Sequence, residues 1–550
     1  MSSKIELALT LSKELSNVLS KLPYDTSSIE IEIEVPKDKT HGDFASNIAM
    51  KMARVARKAP RMIAEEIVSL FDKESAHVEK IEIAGAGFIN FTIDIDYILS
   101  VVNIVNKFDS NYGTLPLNEE NTVCLEYVSA NPTGYLHVGH GRGAAYGDSL
   151  ARIMRKAGVN VSREHYVNDA GNQIINMARS VYERYKELYG LECNLGDDHY
   201  HGKEIITIAK QIKDEYQDKF LNNYDEQFFK DYGTKVLLGN LQKDLRSFNV
   251  EFDTWFSEKS LYANNEVQKV IALLNEKGYT YQKDDATWLR TTDYKDEKDR
   301  VIIKSDGSYT YLLPDIAYHA NKLNRGYKHL IDVLGADHHG YINRLKAAIS
   351  MVGGNSNLLD VEILQMVRVL ENGEEVKMSK RSGKAITLVD LIDMVGVDAL
   401  RYFYVEKSLS THMDLDLDLM RKKSSENPVY YAGYAHARIA SVFRKFNDAG
   451  YKFEYVTEFK HINKASVKNL CTLLIQYPNL IKQVSENRLV HLITKYVQDL
   501  AYALHTYYND EKIITENLEE TMEKLTILNA VKIVLKDALS LVGVSAPEQM

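Results

Sequence analysis

Apolar residues in the first hundred positions follow two different periods. They recur at steps of three and four over residues 5–22, which predicts an amphipathic helix. Strict alternation predicts a half-buried strand over residues 29–35, and a second strand region with a turn at Gly85 over residues 81–95. Residues 1–112 are therefore expected to form a small α+β domain of ordinary size.

The next part of the chain shows a strand–helix–strand pattern. Apolar positions alternate over residues 123–127, a helical pattern runs over residues 141–157, and Gly158 stands where a left-handed helix end is expected. A second strand is predicted over residues 159–167. This spacing indicates a parallel βαβ unit, whose ligands bind at the carboxyl ends of the strands.

The later elements are mixed at first and then helical. An amphipathic helix is predicted over residues 236–248. Three short strands are expected after it, over residues 252–255, 287–290 and 301–304. Beyond Asp418 the pattern is helical, with long helices over residues 489–508 and 522–542. The spacing of three aromatic residues there predicts that they are buried: Tyr430, Tyr431 and Tyr434.

Composition narrows the class of protein. The chain has 550 residues, of which 45% are hydrophobic and 26% charged, as in an ordinary globular protein of several domains. No apolar run reaches membrane length. The three cysteines are far apart and form no CxxC motif, which excludes a disulfide framework and a cysteine zinc site and is typical of the cytoplasm. The net charge of -10 leaves nucleic-acid binding to a local basic surface.

One such surface is suggested by a helical stretch near the N-terminus. No acidic residue lies between Met50 and Arg61, and four basic residues recur there at steps of three and four: Lys51, Arg54, Lys58 and Arg61. A solvated stripe and a contact with nucleic-acid phosphates both fit this pattern. The sequence of this domain leaves the two alternatives open.

Two histidines follow the first strand of the βαβ unit. A single histidine near a turn is most often a satisfied polar residue, but His137 and His140 flank Gly139 just before a helix and follow a turn at Pro132 and Gly134. Backbone amides and the helix dipole there favour a phosphate, and imidazoles can stabilise charge that develops in a transition state. Glycine lets a ligand approach the backbone closely. The combination predicts an anion site.

A second basic motif lies far downstream, in residues 376–384. Serine and glycine mark it as a mobile loop, and its four cations indicate a polyphosphate ligand. Alone it would more often be a surface charge run. Together the two motifs resemble the HIGH and KMSKS motifs of class I aminoacyl-tRNA synthetases, here as His-Val-Gly-His and Lys-Met-Ser-Lys-Arg. These forms keep both imidazoles and both lysines.

Within that class the sequence is similar to the arginyl-tRNA synthetase family. The similarity lies in blocks that follow the family's order along nearly the whole chain: residues 41–43, 85–90, 126–134, 168–173, 200–202, 335–340 and 398–401. The resemblance implies a multidomain α/β protein with a Rossmann-type catalytic domain over residues 113–410, carrying an insertion at about 195–300. It also implies a tRNA-binding role for residues 1–112 and an all-α anticodon-binding domain over residues 411–550.

The same resemblance implies the reaction and its participants. Arginine would be activated by ATP, with Mg²⁺ on the phosphates, to an arginyl-adenylate and then passed to tRNA(Arg). Members of this family are typically monomers, so the resemblance implies a monomer. No dedicated carboxylate cage for a metal is visible in the sequence. Because no further domain of suitable size is present for editing, lysine would have to be rejected in one step.

The resemblance also assigns residues to roles. The catalytic set is His137, His140, Lys377 and Lys380. The arginine-binding set is Glu126, Ser129, Asn131, Tyr311, Asp315 and His339. The ATP-binding set is His137, Gly139, His140, Gly335, Asp337, Met378, Ser379 and Lys380. Candidate tRNA contacts are Lys51, Arg54, Lys58, Tyr434 and Arg438.

Residue chemistry fits arginine as the substrate. Guanidinium has five donors and no acceptor, so a carboxylate is its best partner. By position alone, Asp315 would more often cap a helix than bind a guanidinium; the resemblance reverses that preference, and the two roles are compatible. Tyr311 could cover the aliphatic stem of the substrate.

Three other functions compete with this one. A synthetase of the cysteinyl type would need a cysteine-rich zinc site, which three scattered cysteines do not provide. A tRNA-binding paralogue without activity would not need both histidines and both lysines. A small-molecule nucleotidyltransferase would not need a large helical C-terminal domain.

Overall fold

The computed structural model describes residues 3–27, 29–34, 36, 38, 41–376 and 386–550, and for residues 3–9 and 337–339 it describes the backbone alone. Within these residues the chain forms an N-terminal α+β unit, a central parallel sheet flanked by helices, and a C-terminal bundle of long helices. The expected multidomain α/β architecture is confirmed. None of the described helices is long and apolar enough to cross a membrane.

The N-terminal unit packs three helices against a three-stranded antiparallel sheet in the order β1-β3-β2. Its elements are α1 (Ser3–Lys21), β1 (Phe44–Ser46), α2 (Ile48–Ala56), α3 (Pro60–Leu70), β2 (Val78–Ala84) and β3 (Phe88–Ile93). Gly85 turns the β2–β3 hairpin with a φ of 50°. The helix over residues 5–22 and the hairpin over residues 81–95 are both confirmed.

The predicted strand over residues 29–35 is wrong. Among its described residues only Glu34 pairs, through a single bridge to Ala45. The Ser46 hydroxyl donates to the Glu32 carbonyl at 2.8 Å, in place of a continuous ladder. The alternation in the sequence therefore reflects an extended segment that lies along the edge of the sheet.

The single basic helix predicted around residues 50–61 is also wrong. The chain forms two helices there, because Arg57 adopts a left-handed conformation with φ 52° and Pro60 opens the second helix. Proline lacks the amide hydrogen that a continuing helix requires. The break separates the four basic residues into two pairs: Lys51 with Arg54, and Lys58 with Arg61.

The central domain is built on a five-stranded parallel sheet in the order β11-β10-β4-β5-β6. Helix α4 (Ile95–Phe108) leads into it. The sheet and the elements between its strands are β4 (Asn118–Glu126), α5 (Val138–Lys156), β5 (Val159–Val167), α6 (Asn172–Glu187), α7 (Lys203–Tyr216), α8 (Glu226–Ser247), β6 (Thr254–Ser257), α9 (Glu258–Ala263), α10 (Glu266–Glu276), β7 (Thr280–Lys283), β8 (Ala286–Leu289), β9 (Arg300–Ile303), α11 (Leu312–Asn324), β10 (His329–Gly335), α12 (Ile342–Met351) and β11 (Leu359–Leu364).

Strand order fixes where a ligand can bind. The chain runs from β4 to β5 on one side and later returns to β10 on the other side of β4, so the order reverses at the β4–β10 pair. A cleft opens beyond the carboxyl ends of parallel strands at such a switch point. Glu126 and Asp332, which are paired in register, lie at this edge. The parallel βαβ unit predicted over residues 123–167 is confirmed, with Gly158 at φ 77°.

Part of the region between residues 195 and 300 belongs to this sheet. Helices α7 and α8 pack together with α6 around their own core. Strand β6 then pairs with β5 as the outer strand of the central sheet. Strands β7, β8 and β9 form a separate antiparallel sheet. The strands expected over residues 252–255, 287–290 and 301–304 are confirmed within two residues.

The remaining elements lead into the helical bundle. They are β12 (Val367–Glu371), β13 (Glu374–Glu375), α13 (Leu388–Val395), α14 (Val397–Glu406), β14 (Met413–Asp416), α15 (Leu417–Arg421), α16 (Pro428–Asp448), α17 (Lys464–Asn487), α18 (His491–Asp510) and α19 (Leu518–Leu541). Both long helices expected over residues 489–508 and 522–542 are confirmed.

The predicted burial of three tyrosines in α16 is wrong. Tyr434 is 42% exposed, and Tyr430 and Tyr431 are only partly buried. The helix instead turns small residues toward the bundle, among them Ala432 and Ala435, which are fully buried. Helical spacing identifies a common face but does not say whether that face or the opposite one is packed.

A buried ion pair ties the C-terminal bundle to helix α5. The Arg401 guanidinium, fully buried on α14, donates to Asp148 on α5 at 2.7 Å and to the Val542 carbonyl just after α19 at 2.9 Å. A buried charge is stable only when it is paired and hydrogen-bonded, as here. The orientation of α5, which begins at the histidines, is thereby coupled to the end of the chain.

Close packing of α5 against β4 gives a matched test. A Cβ at Gly147 would lie 2.2 Å from the Tyr127 ring, whereas a Cβ at Gly239, on α8, would meet nothing within 4 Å. We expect Gly147→Ala to lower the free energy of unfolding by about 1–3 kcal/mol through overpacking. Gly239→Ala should raise it by about 0.5–1 kcal/mol, because alanine favours a helix. Urea unfolding measures both, and equal effects would contradict the packing described here.

Candidate active site

The turn that follows β4 is strained. Val128 and Ser129 have φ values of 69° and 40°, in the left-handed region that β-branched and most other residues avoid. Two hydrogen bonds hold the turn. The Ser129 hydroxyl donates to Glu126 Oε1 at 2.8 Å, and it accepts from the Tyr166 amide at 3.2 Å. Ser129, held in this turn by the Tyr166 amide, therefore fixes the Glu126 carboxylate at the end of β4.

The two histidines cap helix α5 reciprocally. The Gly139 amide donates to His137 Nδ1 at 3.1 Å, and the His137 amide donates to His140 Nδ1 at 3.2 Å. The sequence pattern predicts that this helix begins at residue 141, but it begins three residues earlier, at Val138. The prediction is late because histidine is not a usual capping residue. A Cβ at Gly139 would lie 3.1 Å from the His137 ring, so glycine makes room for the cap.

Capping also determines which imidazole nitrogen carries the proton. Because both Nδ1 atoms accept hydrogen bonds, each neutral ring carries its proton on Nε2. Burial lowers the pKa of His137, and burial together with the neighbouring His137 and His165 lowers the pKa of His140 to about 3. The rings stack with centroids 3.7 Å apart. At neutral pH the site thus presents two Nε2–H donors rather than two cations.

A cavity of about 560 Å³, here called the acidic cavity, lies beside the end of β4. Four carboxylates line it, together with Tyr311, Tyr318, His319 and Arg344: Glu126, Glu258, Asp315 and Asp332. The Tyr262 hydroxyl donates to Glu258 at 3.2 Å, and the Tyr341 hydroxyl bonds Asp315. Burial raises the pKa of Glu258. Carboxylates that converge in a partly enclosed space favour a cationic ligand.

Cationic groups also belong to this site: Arg300, His319 and Arg344 line the acidic cavity, and the buried Lys322 stands directly behind it. Lys322 Nζ lies 2.5 Å from Glu126 Oε2 and 3.0 Å from Asp332 Oδ1. His319 Nε2 lies 2.8 Å from Asp332 Oδ2, and its Nδ1 lies 3.0 Å from Asp315 Oδ1. Burial and Lys322 oppose protonation of His319, but the two aspartates outweigh them and raise the pKa of His319 to about 10.

A second cavity of about 700 Å³, here called the histidine cavity, lies beyond the start of α5. It is lined by both capping histidines and by residues from the ends of β4, β10 and β11 and the start of β12, including Ser129, Asn131, His137, Gly139, His140, Gly335 and Met366. Leu334 lines both cavities, so they are neighbours. The two cavities therefore share part of one wall.

The predicted site residues divide between these two spaces. Glu126, Tyr311 and Asp315 line the acidic cavity, whereas Ser129 and Asn131 line the histidine cavity. Asp315 does not cap α11: Tyr311 occupies the cap position, and Asp315 lies within the first turn. Tyr311 is 86% exposed, so it stands at the mouth and does not cover the space.

For six of the predicted site residues, the position of the side chain is not described. Asp337 and His339 fall in a 3-10 helix, Ala336–Tyr341, of which only the backbone is described there. The other four lie outside the described residues: Lys377, Met378, Ser379 and Lys380. The described residue that follows soon after them, Thr387, forms a bridge with His137. The described chain at Thr387 therefore lies beside the histidines.

Sequence reasoning missed six charged residues in or directly behind the acidic cavity: Glu258, Arg300, His319, Lys322, Asp332 and Arg344. Glu258 had a usable signal, because it is an acid just after a predicted strand, and carboxyl ends of parallel strands share one edge. Lys322 had none. A lysine in an amphipathic helix reads as solvent-exposed, whereas Lys322 is fully buried.

The candidate tRNA contacts have mixed surroundings. Lys51 pairs with Glu32 at 2.8 Å, Lys58 pairs with Glu66, and Arg54 is exposed. The guanidinium of Arg438 lies over the Tyr508 ring, 3.7 Å from its centroid, and 3.2 Å from His505 Nδ1. The two C-terminal candidates, Tyr434 and Arg438, therefore lie close together. The three N-terminal candidates form only a thinly charged surface, because two of them are paired with acids.

No metal centre is evident in the part of the chain that the structure describes. No group of three or more His, Cys, Asp or Glu side chains there has the geometry to hold a metal ion.

Three family models match the chain. They are an arginyl tRNA synthetase N terminal domain over residues 9–93, a catalytic domain of class I (R) tRNA synthetases over residues 102–442, and a DALR anticodon binding domain over residues 432–550. Together they span almost the whole sequence in the order expected from its motifs.

Relatives and solved structures agree with the models. The chain is 51% identical over 524 residues to the arginine–tRNA ligase of Bacillus subtilis (strain 168), covering 94% of each chain. It is also 51% identical over 526 residues to that of Bacillus pumilus (strain SAFR-032), covering 95% of this chain and 94% of the relative. The fold matches the arginyl-tRNA synthetase of Thermus thermophilus with a TM-score of 0.75 at 19% identity, over 99% of this chain and 100% of that one.

The tautomers inferred for the histidines can be checked by NMR. With ¹⁵N-labelled histidine, we expect His137 and His140 to carry their proton on Nε2 at pH 7, because both Nδ1 atoms accept backbone hydrogen bonds. His140 should stay neutral at pH 5, where free histidine is protonated, since its pKa is about 3. Signals are assigned by their loss in His137→Gln and His140→Gln. A proton on Nδ1, or titration of His140 near pH 6.5, would refute the capping geometry.

Proposed function

The chain belongs to the arginyl-tRNA synthetase family and attaches L-arginine to tRNA(Arg) in an ATP-dependent reaction, and we propose how its residues divide that work. Residues 1–112 would form the tRNA-binding N-terminal domain and residues 113–410 the catalytic domain. Residues 411–550 would read the anticodon. Within the catalytic domain, the insertion at about residues 195–300 would be interrupted by β6, which returns to the central sheet.

Arginine is assigned to the acidic cavity. The observation that carries this assignment is the convergence of Glu258 and Asp315 in a space of about 560 Å³ that adjoins the two histidines. Both carboxylates can pair with the planar fork of a guanidinium. Glu126, at the end of β4 nearest the histidines, would take the α-ammonium, and Ser129 and Asn131 would hold the carboxylate end. His339 would also contact the arginine, as the family resemblance implies. Tyr311 would close over the aliphatic stem once the substrate is bound.

ATP is assigned to the histidine cavity. Its phosphates would lie against the N-terminus of α5, where backbone amides and the helix dipole favour negative charge. The arginine carboxylate would attack the α-phosphate in line and release pyrophosphate, giving the adenylate. Gly335, Gly139 and Asp337 would contact the nucleotide. Catalysis in this arrangement is mainly positioning and charge stabilisation.

His137 and His140 would act as hydrogen-bond donors in that step. Neutral Nε2–H groups can bind phosphate oxygens without changing protonation state, because burial keeps the pKa of each ring low. Their mutual capping holds both rings rigid, so little reorganisation is needed as charge develops on the phosphate. This role differs from general acid–base catalysis, which needs a group that titrates near the working pH.

The loop that carries Lys377 and Lys380 would complete the site. Both lysines, with Met378 and Ser379, would contact the leaving pyrophosphate when the loop closes. Mg²⁺ would arrive as part of the ATP substrate and would help to neutralise the charge of its phosphates. The bridge between Thr387 and His137 supports this arrangement, because it holds one end of the loop segment beside the histidines.

Further assignments concern tRNA, assembly and location. Tyr434 and Arg438 would contact unpaired bases, since Tyr434 is exposed and Arg438 stands beside a ring. Lys51, Arg54 and Lys58 would contact backbone phosphates, in competition with the acids that pair with two of them. We further propose that the protein acts as a monomer in the cytoplasm.

The assignment of the acidic cavity is tested by substrate kinetics. Asp315→Asn and Glu258→Gln should each raise the KM for arginine by about 30- to 1,000-fold, the usual effect of removing one partner of a buried charge pair. The KM for ATP should change little. Glu276→Gln, an exposed acid at the end of α10, is the matched control. ATP–pyrophosphate exchange in the presence of tRNA measures these constants, and an unchanged arginine KM in both variants would refute the assignment.

Lysine rejection follows from the same cavity. A lysine ammonium would leave carboxylate oxygens unpaired, so we expect kcat/KM for lysine to be about 10⁴-fold below that for arginine without editing. Pyrophosphate exchange with each amino acid measures the ratio. Discrimination below a hundredfold would mean that the cavity does not read a guanidinium.

The role of the loop is tested separately. Lys380→Ala should lower kcat for arginine activation with little change in the arginine KM, because the lysine would act on the leaving group rather than on the amino acid. Lys423→Ala, an exposed lysine after α15, is the control. A raised arginine KM with unchanged kcat would show that the loop binds the substrate instead.

A further inference from the structure

A fully buried lysine stands behind the acidic cavity. Lys322 projects from α11 between the ends of β4 and β10, and its ammonium contacts Glu126 Oε2 at 2.5 Å and Asp332 Oδ1 at 3.0 Å. Its side chain is completely inaccessible to solvent. Its ammonium also lies 4.2 Å from the centroid of the Tyr318 ring. A buried ammonium persists only where such partners outweigh its loss of hydration.

The contact engages one oxygen of Glu126 and leaves the carboxylate able to accept more. The other oxygen, Oε1, accepts from the Ser129 hydroxyl at 2.8 Å. An ionised carboxylate offers about four acceptor positions, of which Lys322 and Ser129 use two. Glu126 lines the acidic cavity, so the remaining positions can meet a ligand there. Lys322 and Ser129 therefore hold the carboxylate from behind in a single orientation.

We propose that Lys322 is a positioning residue for arginine activation, which keeps Glu126 ionised and oriented toward the α-ammonium of the amino acid. The inference rests on the proposed assignment of the acidic cavity to arginine. Lys322 itself touches neither substrate. It acts through Glu126, while Asp332 fixes its own position and connects it through His319 to Asp315.

The groups that face Lys322 come from four elements. On α11 they are Tyr318 and His319; on β4, Cys124 and Glu126; on β5, Glu164; on β10, Asp332. Glu164 is already engaged, by Arg325 at 2.6 Å and by the Tyr318 hydroxyl at 2.7 Å. Lys322 is therefore the cation in direct contact with Glu126 among the described residues.

The pH dependence follows from these surroundings. Burial raises the pKa of Glu126, and the nearby Lys322 counteracts that rise. Removing the ammonium leaves only the weaker effect of His319 to oppose burial and the charge of Asp332, so Glu126 would become protonated at a higher pH. A protonated carboxyl no longer pairs with an ammonium. The acid side of the profile of kcat/KM for arginine should therefore move to higher pH when Lys322 is neutralised.

The test is a double-mutant cycle on arginine activation, measured by ATP–pyrophosphate exchange with tRNA. Lys322→Met, which keeps the length of the side chain and removes its charge, should raise the arginine KM by about 10- to 100-fold. The ATP KM should stay within about twofold. In a Glu126→Gln background the same substitution should add little, because the two residues act as one unit. Lys328→Met, an exposed lysine just before β10, is the matched control.

The possible outcomes are separable. If Glu126→Gln leaves the arginine KM unchanged, the proposed role of Glu126 is wrong, whatever Lys322 does. If Glu126→Gln raises the KM but the effect of Lys322→Met is absent or fully additive to it, Lys322 does not act through Glu126. A fall in kcat and melting temperature, with an unchanged arginine KM and pH profile, would show a purely structural role.

A second variant covers the case in which Lys322→Met does not fold. Lys322→Gln keeps a hydrogen-bond donor in the same place without the charge. It should shift the acid limb of kcat/KM for arginine upward by about one pH unit or more, a change equivalent to a tenfold effect on protonation. An unshifted limb in this variant would overturn the proposal.

Discussion

Reciprocal capping of one helix by two histidines is the constraint on which the proposed catalytic site depends. Each Nδ1 is occupied by a backbone amide, so each ring offers its Nε2–H in a fixed direction. Because burial lowers the pKa of both rings, the helix start presents neutral donors together with its own unpaired amides. A phosphate bound there would meet groups that are already oriented. The reaction then requires that the second substrate be held nearby at a fixed distance.

The strand end just before that helix meets this requirement. Glu126 and the strained turn at Val128 and Ser129 connect the acidic cavity to the histidine cavity over a few residues. Behind the turn, Lys322 and Asp332 join β4 to α11 and β10 through buried charge contacts. The proposed arginine pocket is thus anchored on the same pair of strands as the proposed ATP pocket. Small shifts in either strand would change both.

Much of this organisation was accessible from sequence, for reasons that differ between elements. The βαβ unit was predictable because its apolar periods and Gly158 are local signals. The predicted strand over residues 29–35 is wrong because an alternating pattern also suits an extended edge segment. The single basic helix is wrong because Pro60 ends the helical pattern that the spacing of the basic residues suggests. Lys322 could not be found by any local rule, since its burial depends on carboxylates that are distant in the chain. Side-chain partners across a fold are not encoded in periodicity.

The most direct test of the account is a crystal structure of the protein with arginine and a non-hydrolysable ATP analogue. The account predicts the guanidinium between Glu258 and Asp315, and the α-ammonium against Glu126. It also predicts phosphate oxygens within hydrogen-bond distance of Nε2 of His137 or His140. A guanidinium in the histidine cavity, or phosphates that contact neither imidazole, would contradict it.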